Sequence, residues 1–396
     1  MKDKRIWIIF LIIFVNLLGF GIILPLLPYY VESFGAGAIT FGFITATYSL
    51  FQIISAPILG ELSDKYGRRP ILLISVLGTA VSFGLLGIAQ SIPMLFLARI
   101  LDGATGGNIS TAQAYIADIT DKENRTQGMG IMMAAFSLGF ILGPAIGGLL
   151  SVYGYALPAF VAGAVALLAT ILTYFFLPES LPTEQRKTKQ FKLSSLKFFS
   201  TRDFIDALNH PAIGTLLTIS FMTMLAFSLM QATFVLFTES TLQLTARTNG
   251  LIFTYVGFIG ILVQLFLLKL ATKLFPERII IIAATLMMAG ALGLIAISHT
   301  ISLLMVAVTF IAIANGLANP VIAGQISKRS SKEEQGNIAG LNQSVGSIAR
   351  LFGPLIGTFF YSQLSIRSPY YLAVGILLLT AVITIRQLKP ATLPTK

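Results

Sequence analysis

The feature that most constrains this chain is a series of long stretches without a single charged side chain. Asp, Glu, Lys and Arg are absent from residues 6–31, 33–60, 70–98, 126–178 and 279–327. A helix needs about 20 apolar residues to cross a lipid bilayer, so the last two stretches are long enough for two crossings each. Only 11% of the 396 residues are charged, against about 25% in soluble proteins. The sequence therefore predicts an all-α polytopic membrane protein.

We place twelve transmembrane helices along the chain, and their predicted ranges fall into two sets of six. The first set covers about 6–31, 41–62, 71–90, 93–117, 127–151 and 157–177, and the second about 212–237, 247–270, 279–298, 301–327, 336–361 and 368–388. Short polar segments separate the closest pairs of helices. Tyr153-Gly154-Tyr155 lies between helices 5 and 6, and Ser298-His299-Thr300 lies between helices 9 and 10.

Basic residues gather on one side of this predicted topology. Only Arg247 and Arg367 fall on the opposite side. An excess of Lys and Arg marks the cytoplasmic loops of membrane proteins, so we expect both termini in the cytoplasm of a multi-pass protein in the plasma or inner membrane. The net charge of +11 is then an orientation signal and does not indicate a nucleic-acid partner.

The chain divides near its middle. Residues 178–209 form the only long polar stretch, so we predict a half at 1–177, a cytoplasmic linker at 178–209, a half at 210–390 and a tail at 391–396. Residues 191–199 of the linker are either a surface amphipathic helix or part of a disordered tether. The two halves also resemble each other, because SLGFILGPAIG ends at residue 147 and SIARLFGPLIG ends at residue 357. Such duplicated halves are typical of secondary transporters.

Several kinds of chemistry find no support in the sequence. Cysteine is absent, and the two histidines, His210 and His299, lie far apart, so no metal-ligand cluster is expected. Neither GxGxxG nor GxxxxGK[ST] occurs, and no nucleophile–base constellation is visible, so we expect neither an enzyme nor ATP hydrolysis. The energy source should be an ion gradient, with no bound cofactor.

A charged loop, GELSDKYGRRP at residues 60–70, interrupts two apolar stretches. This loop fits the pattern G-x-x-x-D-x-x-G-R-[RK] at Gly60, Asp64, Gly67, Arg68 and Arg69. Three further patterns occur at Gly19, Pro25 and Pro28, at Arg99 and Gly103, and at Gly139, Gly143, Pro144, Gly147 and Gly148. With these motifs the chain resembles the major facilitator superfamily, specifically its twelve-helix drug:proton antiporters, over essentially its whole length.

Within that family the chain is most similar to tetracycline efflux proteins, as seen in IISAPILGELSDKYGRRPILLIS, YIADITDKENR and EEQGNIAG. Those antiporters carry acidic residues inside helices 1, 3 and 9. Here Asn16 occupies the matching position in helix 1, Ser82 occupies that in helix 3, and helix 9 has no acid.

The resemblance implies a fold of two pseudo-symmetric six-helix halves, a functional monomer and a cavity lined by helices 1, 4, 7 and 10. The amides and the arginine expected to line the cavity are Asn16, Asn108, Gln113, Gln231, Asn315, Asn319 and Arg350. It also implies a cytoplasmic gate, in which Asp64 meets the start of helix 11 near residue 336 and Arg68 reaches Asp118. Alternatively, the loop acts as a topology anchor only. Gly139, Gly143, Pro144 and Gly147 form the motif that the family links with antiport; their spacing alone indicates close helix packing.

Three charges lie deep inside predicted helices: Arg99, Asp102 and Arg350. Charges in a bilayer are costly and mark candidate functional sites. Arg99 and Asp102 are three residues apart and share one face of helix 4, so they can neutralise each other. We expect Asp102 to carry the coupling proton; alternatively the pair is a static contact. Arg350 either binds an anionic part of a substrate, pairs with Asp102 across the halves, or bonds to carbonyls freed by Pro354.

These observations predict a secondary transporter that works within membrane lipid, and the resemblance implies a proton-coupled antiporter that exports small amphipathic compounds. The alternative is a transporter of a neutral or anionic metabolite, sugar or lipid without a drug role. A more remote alternative is a membrane sensor that transports nothing.

Overall fold

The protein is described here by a computed structural model covering residues 4–121, 124–182, 184, 186, 210–330 and 335–388. These residues are almost entirely helical. The first eight helices are α1 (Lys4–Ile23), α2 (Leu27–Ser33), α3 (Ala38–Tyr66), α4 (Arg68–Gly87), α5 (Ile92–Thr105), α6 (Ile109–Ile119), α7 (Arg125–Leu150) and α8 (Ala156–Phe176). The others are α9 (Pro211–Leu242), α10 (Ala246–Leu262), α11 (Leu268–Leu274), α12 (Glu277–Ala296), α13 (Ile301–Arg329), α14 (Gln335–Gln363) and α15 (Ser368–Gln387). A π-helical turn, Val263–Leu267, joins α10 to α11.

Ten of the described helical segments are long and apolar enough to cross a membrane. Two predicted helices are not among these ten: helix 4, which consists of α5 and α6 with a break between them, and helix 11, which corresponds to α14. The predicted count of twelve spans therefore stays a prediction. The predicted separators agree with the structure: a short 3₁₀ turn, Ser151–Tyr153, precedes Gly154, and α12 ends at Ala296 before α13 begins at Ile301.

Two predicted helices that were expected to be continuous are interrupted. Helix 1, predicted over 6–31, ends at Ile23 and resumes as α2 at Leu27. Pro25 and Pro28 lie at this break, and proline cannot donate the backbone hydrogen bond that a continuous helix needs. Helix 4, predicted over 93–117, is broken at residues 106–108, which read Gly-Gly-Asn. Glycine is a poor helix former, so this tripeptide is a favourable place for a break.

The chain divides into two compact units, one containing residues 1–198 and 245–254, the other residues 199–244 and 255–396. Most of the predicted linker and the predicted tail at 391–396 lie outside the described residues, as does the expectation for 191–199. Residues 245–254, which include the start of α10, belong to the first unit. The predicted boundaries at 177 and 210 stay a prediction.

Each unit is built around one long helix pair. In the first unit α7 packs along α1, α8 packs on α4, and α5 packs on α3. Ile9, Ile12, Leu72 and Tyr115 are buried in its core. In the second unit α14 packs along α9 and α12 contacts α13 and α15, around a core that includes Leu216.

Candidate functional site

A buried ion pair lies at the centre of the first unit. The Nη1 atom of Arg99 is 3.0 Å from Oδ2 of Asp102, and the two side chains are only 2% and 8% exposed. Both residues belong to α5, whose regular turn brings positions three apart onto one face. The guanidinium group also lies 5.9 Å from the Tyr48 ring centre and 5.4 Å from that of Phe83, where cation–π attraction adds to its stabilisation.

The break between α5 and α6 follows directly on this pair. A break leaves the last carbonyl groups of a helix without partners, and in a membrane these must be satisfied inside the protein. Side chains from the neighbouring helices α3 and α4 supply the donors: Ser55 to the carbonyl of Gly103 at 2.9 Å, Gln52 to that of Gly106 at 3.4 Å, and Ser75 to that of Thr105. The break is thus built into the packing of the unit.

Small residues allow α3 to approach this break closely. A Cβ atom on Gly103 would lie 2.4 Å from the Tyr48 carbonyl oxygen, and one on Gly107 would lie 2.7 Å from the Ala56 backbone. Broken helices inside a membrane protein are tolerated where they are buried or line a water-filled cavity, and in transporters they mark binding sites. The position of the break next to the buried Arg99–Asp102 ion pair makes it the first candidate site.

Several polar atoms around the break have no hydrogen-bond partner among the described residues. They include Nε and Nη2 of Arg99, both amide atoms of Asn108, and the hydroxyl of Thr111. Asn108, predicted to line the cavity, is fully buried at the start of α6. Buried polar groups in proteins normally have hydrogen-bond partners, so this concentration of unpaired donors and acceptors marks the break as a candidate binding site.

A second polar group extends the site to α1 and α4. Asn16 donates to the Ile12 carbonyl at 3.3 Å, and its side-chain oxygen accepts a hydrogen bond from Thr79 at 3.2 Å. Ser82 lies near the Asp102 carboxylate, although its hydroxyl has no partner of ordinary hydrogen-bond geometry among the described residues. Asn16, through Thr79, and Ser82 are thus both linked to α4; the resemblance matched these two residues to acidic positions of the tetracycline-type antiporters.

The other predicted cavity residues are more dispersed. Gln113 is exposed on α6, and Gln231 is half-buried on α9. In the second unit the Asn319 amide donates to the Asn315 side-chain oxygen at 2.8 Å, which links two neighbouring turns of α13. Arg350 donates to the Ser347 hydroxyl at 3.1 Å, one turn earlier on α14. The predicted pairing of Arg350 with Asp102 joins the two units and stays a prediction.

The charged loop forms a compact ionic cluster, here called the junction cluster, of Asp64, Arg68, Asp118 and Glu179. Arg68 forms a salt bridge with Asp64, and its Nε atom lies 3.3 Å from Oδ2 of Asp118 at the end of α6. It also donates to the Ser63 hydroxyl at 2.6 Å. The structure therefore brings Arg68 and Asp118 together as the sequence predicted, whereas the predicted approach of Asp64 to residue 336 joins the two units and stays a prediction.

Glu179, which the sequence analysis did not single out, is the centre of the junction cluster. Its carboxylate accepts hydrogen bonds from the backbone N–H groups of Arg68 at 2.9 Å and Arg69 at 3.3 Å. These groups begin α4, and a carboxylate at a helix N-terminus is stabilised by the helix dipole. Asp118 is held from the same segment, because the Ser180 hydroxyl donates to it at 3.0 Å. The position of Glu179 just beyond helix 6 gives no signal that would single it out among the nearby acids.

Gly67 makes this arrangement possible, and a substitution there should weaken it. Gly67 has φ +106°, and an added Cβ atom would lie 2.1 Å from the Glu179 carboxylate. We expect Gly67→Ala to lower the free energy of unfolding by about 1–3 kcal/mol, the cost of such backbone strain, with additional loss of the Glu179 contacts. Gly60→Ala is the matched control in the same motif, since its added Cβ would meet only the Ser110 hydroxyl at 3.9 Å. Thermal unfolding of the purified variants measures the difference; equal midpoints would contradict this account.

Gly139, Gly143 and Gly147 form a stripe on α7 that contacts the backbone of α1. Added Cβ atoms would lie 2.7 Å from Leu17, 2.6 Å from the Leu18 carbonyl and 2.5 Å from the Ile22 carbonyl, respectively. Pro144 packs against Gly21 of α1 in the same way. The glycine spacing thus produces close helix packing; the role in antiport stays a prediction.

A counterpart of the junction cluster exists in the second unit with the charges exchanged. Glu277 at the start of α12 lies 2.6 Å from Nζ of Lys328 at the end of α13, and it also accepts a hydrogen bond from Gln325. In the first unit Arg68 begins the equivalent helix, α4, and Asp118 lies in the last turn of its partner, α6. The same contact between equivalent helix ends therefore occurs in both units.

Comparison with known proteins places this geometry in context. The sequence model of the Major Facilitator Superfamily matches residues 9–353 and 297–396. The chain is 30% identical to multidrug resistance protein 2 of Bacillus subtilis, over 94% of this chain and 92% of that protein. It is 31% identical to the class C tetracycline resistance protein of Escherichia coli, over 91% of each chain. The solved structure of the human organic anion transporter MFSD10 (TETRAN) superposes with a TM-score of 0.73 at 24% identity, covering 97% of this chain and 100% of that one.

Proposed function

The chain belongs to the Major Facilitator Superfamily, and from this premise we propose that it is a proton-coupled antiporter that exports small amphipathic compounds by alternating access. The protein is a membrane transporter with twofold-repeated helices, as its relatives are. The finer proposal, with export, proton coupling and a functional monomer in the inner membrane with cytoplasmic termini, is supported by the site described above and by the multidrug and tetracycline resistance proteins among its relatives.

The observation that carries the proposal is the buried Arg99–Asp102 pair beside the broken helix. An exchanger must hold either a proton or a substrate, and a carboxylate with an adjacent counter-charge can exist in both protonation states. When Asp102 takes up a proton, its attraction to Arg99 disappears, and the guanidinium group is left as an unpaired buried charge. Protonation of Asp102 therefore removes the attraction that compensates the buried charge of Arg99.

The junction cluster supplies a mechanical link for such a change. The segment from Asp102 to Asp118 runs through the broken helix, and Asp118 contacts Arg68 at the start of α4. A shift of α6 relative to α5 would alter the Arg68–Asp118 distance. We propose that the junction cluster stabilises one access state and that this contact is lost in the other; this is a two-state hypothesis of the kind that coupling measurements must test.

A second candidate function is suggested by the unpaired nitrogens of Arg99. Nε and Nη2 are buried without partners among the described residues, and arginine binds carboxylate or phosphate groups with two parallel hydrogen bonds. A substrate that carries an anionic group would satisfy these donors. Under this alternative the protein transports an anionic metabolite, and Asp102 positions Arg99.

Substrate-driven proton movement tests the proposal directly. The protein is reconstituted in liposomes that enclose a pH-sensitive dye, a pH gradient is imposed, and tetracyclines, lipophilic cations, fluoroquinolones and organic anions are added in turn. We expect at least one amphipathic compound to accelerate proton release, and a protonophore to abolish the gradient and the response. Failure of every amphipathic compound, together with a response to organic anions, would overturn the export proposal and favour the second candidate.

A further inference from the structure

An apolar groove runs along the exposed face of the first unit between α4 and α8. Its volume is about 340 Å³. The lining side chains are Leu73, Ile74 and Leu77 from α4 and Thr170, Ile171, Tyr174 and Phe175 from α8. Ile74 is 56% exposed and Phe175 is 70% exposed. Both helices are candidate membrane spans, so acyl chains are the molecules that meet this surface.

An arginine of the charged loop, Arg69, lies at one end of the groove. Arg69 precedes Leu73 by four residues and Leu77 by eight, so the three residues lie on one face of α4. The Nη2 atom of Arg69 donates to the Tyr174 carbonyl at 2.6 Å, and its guanidinium group lies 5.7 Å from the Tyr174 ring centre. The guanidinium group of Arg69 therefore contacts Tyr174, one of the residues that line the groove.

The contact with the Tyr174 carbonyl does not by itself indicate a ligand. In the second unit Arg278 makes the same kind of contact with the Ile385 carbonyl in the last turn of α15. A basic side chain at a helix C-terminus stabilises free carbonyls, which explains both arginines. What distinguishes Arg69 is the aromatic ring beneath it and the apolar groove beyond that ring.

Arg69 also keeps unused donor capacity. Its Nε atom is buried without a hydrogen-bond partner among the described residues, as is that of Arg278, so the aromatic ring and the groove, and not this atom, set Arg69 apart. The planar guanidinium group suits a phosphate, to which it can donate two parallel hydrogen bonds. Tyrosine favours the boundary between acyl chains and headgroups, which places the Tyr174 ring where a phospholipid changes from apolar to polar.

We propose that the groove of α4 and α8 binds an anionic phospholipid, with an acyl chain along Leu73 and Leu77 and the phosphate at Arg69. The apolar length of the groove holds the chain, and the guanidinium group selects the negatively charged headgroup. The inference is independent of which compound the protein transports, because it concerns a surface outside the Arg99–Asp102 site.

Quenching of tryptophan fluorescence by brominated lipid measures such a preference without a transport assay. Trp7 is the only tryptophan in the chain, so Trp7→Phe provides a silent background. In that background Phe175→Trp reports on the groove. Phe258→Trp reports on ordinary lipid contacts, because Phe258 is a 53% exposed side chain on α10. Each protein is reconstituted in mixtures of brominated phosphatidylcholine and unbrominated phosphatidylglycerol, and the quenching gives the relative affinity of the two lipids at the reporter.

At Phe175→Trp we expect phosphatidylglycerol to displace the brominated lipid about fivefold more effectively than its mole fraction predicts. At Phe258→Trp we expect no preference. Adding Arg69→Gln should remove the preference at the groove, Arg69→Lys should retain part of it, and Arg278→Gln should leave it unchanged. Equal affinities at the two reporters, or a preference that survives Arg69→Gln, would overturn the proposal. Displacement by inorganic phosphate in the buffer would identify a free-anion site and overturn it as well.

Discussion

Asp102→Asn is expected to abolish substrate-driven proton movement in reconstituted liposomes. The rate of proton flux after substrate addition should fall to that of protein-free vesicles. Asparagine has the shape of aspartate and still accepts a hydrogen bond from Arg99, but it neither takes up nor releases a proton at any accessible pH. The measurement is the dye-reported proton flux after addition of a substrate that the wild-type protein transports. Substrate exchange without a gradient should persist, because that reaction needs the cavity and not the proton.

A static role for the pair can be separated from a coupling role. Removing one partner of a buried ion pair leaves an uncompensated charge and costs about 3–5 kcal/mol, so Asp102→Asn alone also destabilises the unit. The double variant Arg99→Gln with Asp102→Asn removes both charges and should restore stability in thermal unfolding. If the pair only holds α5 in place, the double variant regains coupled flux. If Asp102 carries the proton, the double variant is stable and remains uncoupled, which is the outcome we expect.

The sequence predicted the local parts of this site because they depend on spacing along one helix. Arg99 and Asp102 are three residues apart, so any regular helix places them together. The glycines of α7 are four apart, and they meet α1 as small residues at that spacing do. The contact of Arg68 with Asp118 was available only from the resemblance to a family, because 50 residues separate the two side chains.

The break at residues 106–108 was missed because nothing in the hydropathy pattern marks it. Glycine is frequent in transmembrane helices, so Gly106-Gly107 alone does not end one. The break depends on donors from other helices, such as Ser55 and Ser75, and no periodicity reveals which carbonyl group they reach. For the same reason Asn108 was identified as a polar residue of interest, while its burial without partners could only be seen in the structure.

Glu179 shows a different limit of sequence reasoning. It lies just beyond helix 6 in a polar segment, where a carboxylate is ordinarily solvated. Its role arises because the end of α8 returns to the start of α4, and this approach is a property of helix packing. Electrostatic reasoning could have predicted that some anion lies at the N-terminus of α4, since two backbone N–H groups there lack helical partners. It could not have chosen Glu179 among the nearby acids.

Gly143→Val is expected to have the second large effect, a loss of folded protein that involves no charged group. An added Cβ on Gly143 would lie 2.6 Å from the Leu18 carbonyl oxygen and 2.7 Å from Cα of Gly21, both backbone atoms of α1. Backbone cannot move aside as a flexible side chain can, so α1 and α7 must separate along their whole contact. Overpacking typically costs about 1–3 kcal/mol, and we expect the upper end here because the extra methyl groups of valine increase the overlap.

The matched control for this substitution lies on the same helix. Gly130 belongs to α7, and an added Cβ there would meet nothing within 4 Å. Gly130→Val therefore carries the same change of helix propensity without the clash. We expect Gly143→Val to lower the yield of monodisperse protein and the midpoint of thermal unfolding well below those of Gly130→Val. Equal stability of the two variants would mean that α1 and α7 are not held at the close distance described here, and the glycine stripe would then have to be explained by antiport itself and not by packing.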